Sequence, residues 1–192
     1  MIKIILASQS KVRKEILSQN KIDCDVYPSN VDEDSVKISL SKENASPEII
    51  SKNLAELKAN KVSAKFTDKL VIGADSVIDL EGKIVSKPTN RNEALDILKL
   101  LNGKSHYLIS SVCISKGGSM VWNYTDKAQL IMKNFKLEEL KDYLSKLSDE
   151  TLFAYNVYQI EGLGKNLFSK ILGDNDTIMG LPVKKIKEYL KL

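Results

Sequence analysis

An apolar run of strand length, a three-residue polar stop and an immediate helical pattern open the chain, and no other stretch restricts the fold as much. Residues 2–7 are apolar except for Lys3, which reads as a buried strand. Ser8-Gln9-Ser10 stops the run. Val12, Ile16 and Leu17 then recur at helical spacing, so a helix is expected over residues 11–19 with Ser10 as its N-cap. A strand that feeds a helix through so short a loop belongs to a sheet with helices packed on it.

The remaining pattern alternates in the same way. Residues 22–27 read as a second strand, and residues 29–46 are largely polar. Ser46-Pro47-Glu48 is a helix start, with Ser as cap and Pro in the first position, and Ile49, Ile50, Leu54 and Leu57 mark a helical face. Leu70-Val71-Ile72 is a buried-strand run that Gly73-Ala74-Asp75 is expected to interrupt with a turn or bend before residues 76–80 resume an extended pattern. Glu81-Gly82 reads as a hairpin turn leading to Ile84 and Val85. Asn92 is expected to cap a helix with Ala94, Ile97, Leu98 and Leu101 on its face and Gly103 at its end. Two long strands over residues 107–114 and 120–132 flank a Lys116-Gly117-Gly118-Ser119 turn. Leu137, Leu140, Tyr143, Leu144 and Leu147 give an amphipathic helix, residues 157–161 a short strand, and Val183, Ile186, Tyr189 and Leu190 a last helix. Mixed hairpins and crossovers make the class α/β or α+β, with a mixed twisted sheet flanked by helices.

At 192 residues the chain suits one domain, residues 1–192, or one domain folded as two lobes around a cleft. Folding at this size buries roughly 70% of the unfolded surface, so no staple is needed. No internal repeat or low-complexity segment interrupts it. The net charge is only +4, and of 29 basic residues two are arginine, Arg13 and Arg91, with lysines spread along the chain. That is a solvated lysine-rich surface rather than a nucleic-acid stripe. Cys24 and Cys113 are far apart and His106 is the only histidine, which excludes a Cys/His zinc site and suits a reducing cytosol. The apolar N-terminal run is too short for a signal peptide, and no run approaches a membrane span, so the expected location is cytoplasmic.

Three clusters carry candidate chemistry. Ser8, Ser10 and Arg13 stand at a strand-to-helix junction, where helix-start amides, hydroxyls and a guanidinium attract phosphate; the same residues also suit a Ser-capped surface helix. Asp75 follows a buried strand, where it can bind magnesium, accept a proton from water, or simply close the strand. Asp32, Glu33 and Asp34 supply oxygen ligands for Mg²⁺ or form a solvated acidic loop. Lys58 and Lys87 are undistinctive among so many lysines, although Lys87-Pro88 at a hairpin end is more specific, and His106 reads as structural. Glu161-Gly162-Leu163-Gly164 matches neither a dinucleotide fingerprint nor a P-loop.

Taken in order, these segments resemble the Maf family of nucleotide pyrophosphatases nearly end to end. Leu6-Ala7-Ser8-Gln9-Ser10-Lys11-Val12-Arg13 resembles its L-A-S-x-S-P-R-R, Val31-Asp32-Glu33 its V-D-E, and Leu54-Ala55-Glu56-Leu57-Lys58-Ala59 its L-A-x-x-K-A. Val71-Ile72-Gly73-Ala74-Asp75-Ser76-Val77 resembles V-I-G-A-D-T-V, with Lys87-Pro88 at the family distance. Leu101-Asn102-Gly103-Lys104-Ser105-His106 resembles L-S-G-x-x-H, Tyr158-Gln159-Ile160-Glu161-Gly162 resembles Y-x-I-Q-G, and Gly180-Leu181-Pro182 the closing G-L-P.

The resemblance implies an elongated two-lobed fold with a central cleft, like the inosine-triphosphate pyrophosphatases, and a homodimer. It implies a nucleoside triphosphate substrate, hydrolysis to monophosphate and pyrophosphate in nucleotide-pool house-cleaning, and a divalent metal, Mg²⁺ or Mn²⁺, on Asp75 and Glu33. Asp75 falls on the general-base position, and Ser8, Ser10, Arg13, Lys58 and Lys87 on substrate and phosphate positions. Val12, Ser76 and Glu161 fall on the three positions that govern base choice. Ser76 is Thr-like, as in the pyrimidine-directed branch, whereas Glu161 leans to the branch acting on 7-methyl-GTP, which carries Trp where Val12 stands. Lys11 replaces a family Pro, and Ala154, Tyr155, Asn156 and Val157 replace K-A-G-A, departures expected to weaken turnover or shift the substrate. The competing readings are a pyrophosphatase for deaminated purine triphosphates, a non-catalytic nucleotide-binding regulator of cell division, and an RNA-binding protein, against which the scarcity of arginine argues.

Overall fold

The computed structural model describes residues 4–192, with side chains left out of the description at 153–155. Seven strands form a mixed sheet in the order β2-β1-β3-β5-β6-β7, with β4 paired to β3. Contacts divide the chain into two compact units. The first comprises Met1–Val77, Ile109–Lys127 and Asp174–Leu192, and the second Ile78–Leu108 and Ala128–Gly173. No described helix is long and apolar enough to cross a membrane.

In the first unit, β1 (Ile4–Leu6) lies parallel to both β2 (Cys24–Val26) and the start of β3 (Leu70–Leu80). Both of its faces are covered. Ile4 and Leu6 enter a cluster with Ile16, Leu17, Val183 and Ile186, while Ile5 packs with Ala7, Val62 and Val71 on the other side. That explains an apolar run without alternation; its expected first residues, Ile2 and Lys3, lie outside the described residues. Helix α1 (Lys11–Gln19) starts where Ser10 caps it, its side chain accepting from the Arg13 amide. Helix α2 (Glu33–Lys42) was not expected. Asp32 caps it, but it buries no residue and so writes no apolar stripe into the sequence. Helix α8 (Val183–Leu190) buries Val183 and Ile186 as its pattern requires.

Helix α3 (Pro47–Ser63) starts at the Ser46 cap, but its buried face differs from the expected one. Ile49 and Leu57 are exposed. Ile50 and Leu54 are buried as expected, and the buried face continues through Ser51, Ala55, Lys58, Ala59 and Val62, where two polar residues disguise the period. The expected turn at Gly73-Ala74-Asp75 is absent. β3 runs unbroken, and glycine is required there for a different reason. A Cβ on Gly73 would stand 2.3 Å from the Ala55 carbonyl oxygen and 2.6 Å from the Ala59 nitrogen, so the residue allows α3 to lie directly on the strand.

In the second unit, β3 turns through Glu81 and Gly82, both at positive φ, into antiparallel β4 (Lys83–Val85), the expected hairpin. Helix α4 (Arg91–Leu101) is capped by Asn90 rather than Asn92; the Asn90 side chain accepts from the Glu93 amide. It packs against α5 (Leu137–Ser145), which buries Leu140, Tyr143 and Leu144, while Leu137 is exposed and Leu147 lies past the helix end. Arg91 donates to the carbonyls of Leu144 at 2.9 Å and Leu147 at 2.7 Å, and pairs with Asp149 at the start of α6 (Asp149–Tyr155). The expected strand over residues 157–161 is a turn and loop, followed by a short 3-10 helix, Leu163–Leu167. The strand in this region is β7 (Phe168–Leu172), antiparallel to the end of β6 (Ser119–Met132), which follows β5 (Ser105–Lys116) through the expected glycine turn. The 157–161 segment is held by side chains instead of a ladder. Tyr143 donates to the Val157 carbonyl at 3.0 Å, and buried His106 meets the Tyr158 hydroxyl through Nε2 at 2.9 Å. Burial lowers the His106 pKa to about 4, so it is a neutral structural residue, as expected. One short helix, α7 (Asn175–Ile178), completes the first unit.

Candidate active site

The first unit gathers a charge cluster around β3, buried at Lys58 and Asp75 and open at Glu33, whose side chain is 42% exposed. Lys58 is 5% exposed on α3, and Asp75 is 4% exposed on β3. The Lys58 ammonium donates to Asp75 Oδ1 at 2.8 Å and to the Ala74 carbonyl at 3.4 Å, and pairs with Glu33 Oε1 at 2.8 Å. Its three N–H bonds thus face three oxygens. Glu33 enters from the first turn of α2 and also meets Lys37 at 3.7 Å. Ser51 donates to the Asp75 carbonyl at 3.2 Å, fixing the strand from α3. One atom is left over: Asp75 Oδ2 is buried and has no hydrogen-bond partner among the described residues. A buried carboxylate oxygen without a donor is costly, so it marks a place for a cation or a water.

Arg13 fills a role the sequence did not suggest. Its Nε donates to the Gly180 carbonyl at 3.0 Å, Nη1 to the Ala74 carbonyl at 3.1 Å and to Ser8 Oγ at 3.3 Å, and Nη2 to Ser76 Oγ at 3.1 Å. Four of five donors are committed to the protein. Burial lowers its pKa from the ordinary arginine value, against which the nearby Asp75 and Glu33 carboxylates act. Arg13 thus ties α1, β3 and the Gly180 turn together. Lys58 is similarly occupied by its carboxylates.

The serines are better placed for an anion. Ser8 Oγ accepts from the Ser10 amide at 3.2 Å and from Arg13, and Ser10 Oγ accepts from the Arg13 amide at 3.3 Å. Each hydroxyl accepts from the protein, and no acceptor for its own proton appears among the described residues, so both can donate to an arriving phosphate at the start of α1. Among the described residues no group of three or more His, Cys, Asp or Glu side chains is arranged to hold a metal. Asp75 and Glu33 form a two-carboxylate pair, the number with which Mg²⁺ commonly binds alongside substrate phosphates.

The chain matches the family model described as Maf-like protein over residues 3–192. It belongs to the Maf family. A relative from Pelagibacter ubique, named nucleoside triphosphate pyrophosphatase, is 73% identical over 98% of this chain and 97% of its own. One from Rhizobium johnstonii, named 7-methyl-GTP pyrophosphatase, is 35% identical over 97% of this chain and 96% of its own. The Ham1 protein of Staphylococcus aureus shares the fold at a TM-score of 0.52 and 12% identity, covering 98% of each chain.

The other Maf positions fall as follows. Val12 is half-buried and packs on the cluster containing Ile4 and Leu6. Ser76 faces Arg13 and Ser110, its Oγ 2.9 Å from Ser110 Oγ. Lys87, in the second unit, is exposed after β4 and is followed by buried Pro88; Glu161, in the same unit, is exposed on the loop after Tyr158. Lys11 opens α1 in place of the family Pro. The side chains of Ala154 and Tyr155 lie outside the described residues. Asn156, which replaces the glycine of the K-A-G-A pattern in the family resemblance, has φ 67° and ψ −156°, a region that essentially only glycine occupies without strain. Its side chain accepts from the adjoining Val157 amide at 2.8 Å. Asn156→Gly is expected to raise stability by about 1–3 kcal/mol, read as a higher midpoint in thermal unfolding; a lowered midpoint would contradict the strain.

Residue patterns missed Ser51, Ser110 and the carbonyls of Ala74 and Gly180. Ser51 and Ser110 were detectable only as polar residues on otherwise apolar faces.

Proposed function

We propose that this protein hydrolyses nucleoside triphosphates to the monophosphate and pyrophosphate. The observation that carries the reading is the buried, unpaired Asp75 Oδ2 beside Lys58 and Glu33, in a chain whose 73%-identical relative is named for this activity. Ser8, Ser10 and the first-turn amides of α1 bind phosphate oxygens. Asp75 Oδ2 orients a water toward the α-phosphorus and takes its proton. The new P–O bond forms as the bond to the bridging α–β oxygen breaks, and pyrophosphate leaves. Lys58 keeps Asp75 Oδ1 occupied, so the free oxygen alone faces the reaction. A carboxylate is a weak base by itself. Asp75 and Glu33 would hold a divalent cation, which when bound neutralises phosphate charge and acidifies water. The roles of Lys87 in phosphate handling and of Glu161 in base choice rest on the family resemblance.

Glu161 carries only acceptors once ionised, which favours a base edge rich in N–H donors, such as that of 7-methyl-GTP. A panel of 7-methyl-GTP, UTP, dTTP and ITP with magnesium is expected to give pyrophosphate most efficiently from 7-methyl-GTP. Fastest release from ITP would move the protein to the deaminated-purine enzymes. Saturable binding without release from any of the four would make it a nucleotide-binding regulator.

A further inference from the structure

A buried hydrogen-bond chain runs behind the site, and its direction can be deduced. Ser110 lies on β5, fully buried, and donates to the Thr177 carbonyl at 2.7 Å. A serine has one hydroxyl proton, so Ser110 has none left for Ser76. At their 2.9 Å contact Ser76 must therefore be the donor and Ser110 the acceptor. Ser76 in turn has spent its own proton, so toward Arg13 it acts only as acceptor, as the 3.1 Å bond from Nη2 requires. The chain reads Arg13 to Ser76 to Ser110 to Thr177, with each proton assigned. Its far end is fixed too, because Thr177 donates through Oγ1 to Asp126 at 2.7 Å.

We propose that Ser110 is a positioning residue of the pyrophosphatase reaction, acting through Ser76 on Arg13; this rests on the proposed function. Ser110 keeps the Ser76 lone pair turned to the guanidinium. Arg13, so held, fixes Ser8 Oγ and the Ala74 carbonyl, which adjoin the phosphate-facing loop and Asp75 respectively. Without Ser110 the Ser76 proton is left with the Gly180 carbonyl, which it shares with Arg13 Nε and reaches only at 3.5 Å against 2.9 Å to Ser110, so the hydroxyl is held more loosely. The chain also reinterprets Ser76. Its hydroxyl offers a ligand no proton, so any selectivity it exerts is exerted as an acceptor or through Arg13.

Ser110→Ala, Ser76→Ala and the double variant test this in the full-length protein. Because catalytic geometry is sensitive to displacements well under 1 Å, Ser110→Ala is expected to lower kcat by roughly tenfold with KM changed by less than about twofold. The double variant should be no worse than Ser76→Ala, since both cut one chain. The chain contains two arginines, Arg13 and Arg91, so the Arg13 guanidinium protons are resolvable by NMR. Their exchange with water should quicken several-fold in Ser110→Ala while those of Arg91 stay unchanged. Multiplying kcat losses, or parental kcat and Arg13 exchange in Ser110→Ala, would overturn the proposal. If the parent protein releases no pyrophosphate, the proposed function falls, and Arg13 exchange alone decides whether Ser110 positions it.

Discussion

Asp75→Asn is expected to lower pyrophosphate release by on the order of 10²–10⁴-fold, the range a positioned base supplies. The substitution preserves shape. An amide oxygen in the Oδ1 position can still accept from Lys58, now 2.8 Å away, and the Ser51 bond to the residue 75 carbonyl does not involve the side chain. The change falls on Oδ2. A buried atom with two unused lone pairs becomes an NH₂ group, which can neither take a proton from water nor approach a cation. Nucleotide affinity should change less, because Ser8 and Ser10 remain. The measurement is kcat and KM by pyrophosphate detection with magnesium, beside a thermal midpoint. Parental kcat in a folded variant would remove Asp75 from the chemistry.

Much of the first unit was legible because its signals are local. Ser10 before a helical period fixes α1 and Ser46-Pro47 fixes the start of α3, and in the second unit Glu81-Gly82 fixes a hairpin by the same kind of local signal. The failures share a cause, which is that the deciding partner lies far away in sequence. Gly73 looks like a turn until the backbone of α3 is placed against it. Ser51 and Lys58 break the apolar stripe of α3 because they serve β3. The 157–161 segment has a strand-like composition, yet it is held by Tyr143 and His106 rather than by a neighbouring strand. The same holds for the site. Residues 33 and 75 converge on the Lys58 ammonium, and nothing in their spacing says so; the family resemblance paired Asp75 with Glu33 but gave Lys58 a separate phosphate role. That resemblance did not reveal the bonds Arg13 makes to the Gly180 and Ala74 carbonyls, because those partners are backbone atoms far away in the sequence.

Gly73→Ala should produce the largest loss of stability. Two of the atoms a new Cβ would meet are α3 backbone, the Ala55 oxygen at 2.3 Å and the Ala59 nitrogen at 2.6 Å, and the third is the Ala59 Cβ at 2.9 Å. No rotamer change can relieve contacts with a helix backbone, so α3 must move off β3. Overpacking in a filled core costs typically 1–3 kcal/mol, and the absence of any flexible neighbour puts this case at about 3 kcal/mol or beyond. For a chain of this size that is a midpoint lowered by roughly 6–12 °C. The displacement would also carry Lys58, next to Ala59 on the same helix, away from Asp75 and Glu33, so activity should fall even where the variant is folded. Gly162→Ala is the comparison: its nearest neighbour would be 3.6 Å away, and an effect within about 0.5 kcal/mol is expected. Equal midpoints for the two variants would mean that α3 does not rest on Gly73. A lowered midpoint with parental kcat below it would separate the packing of α3 from the holding of Asp75 by Lys58.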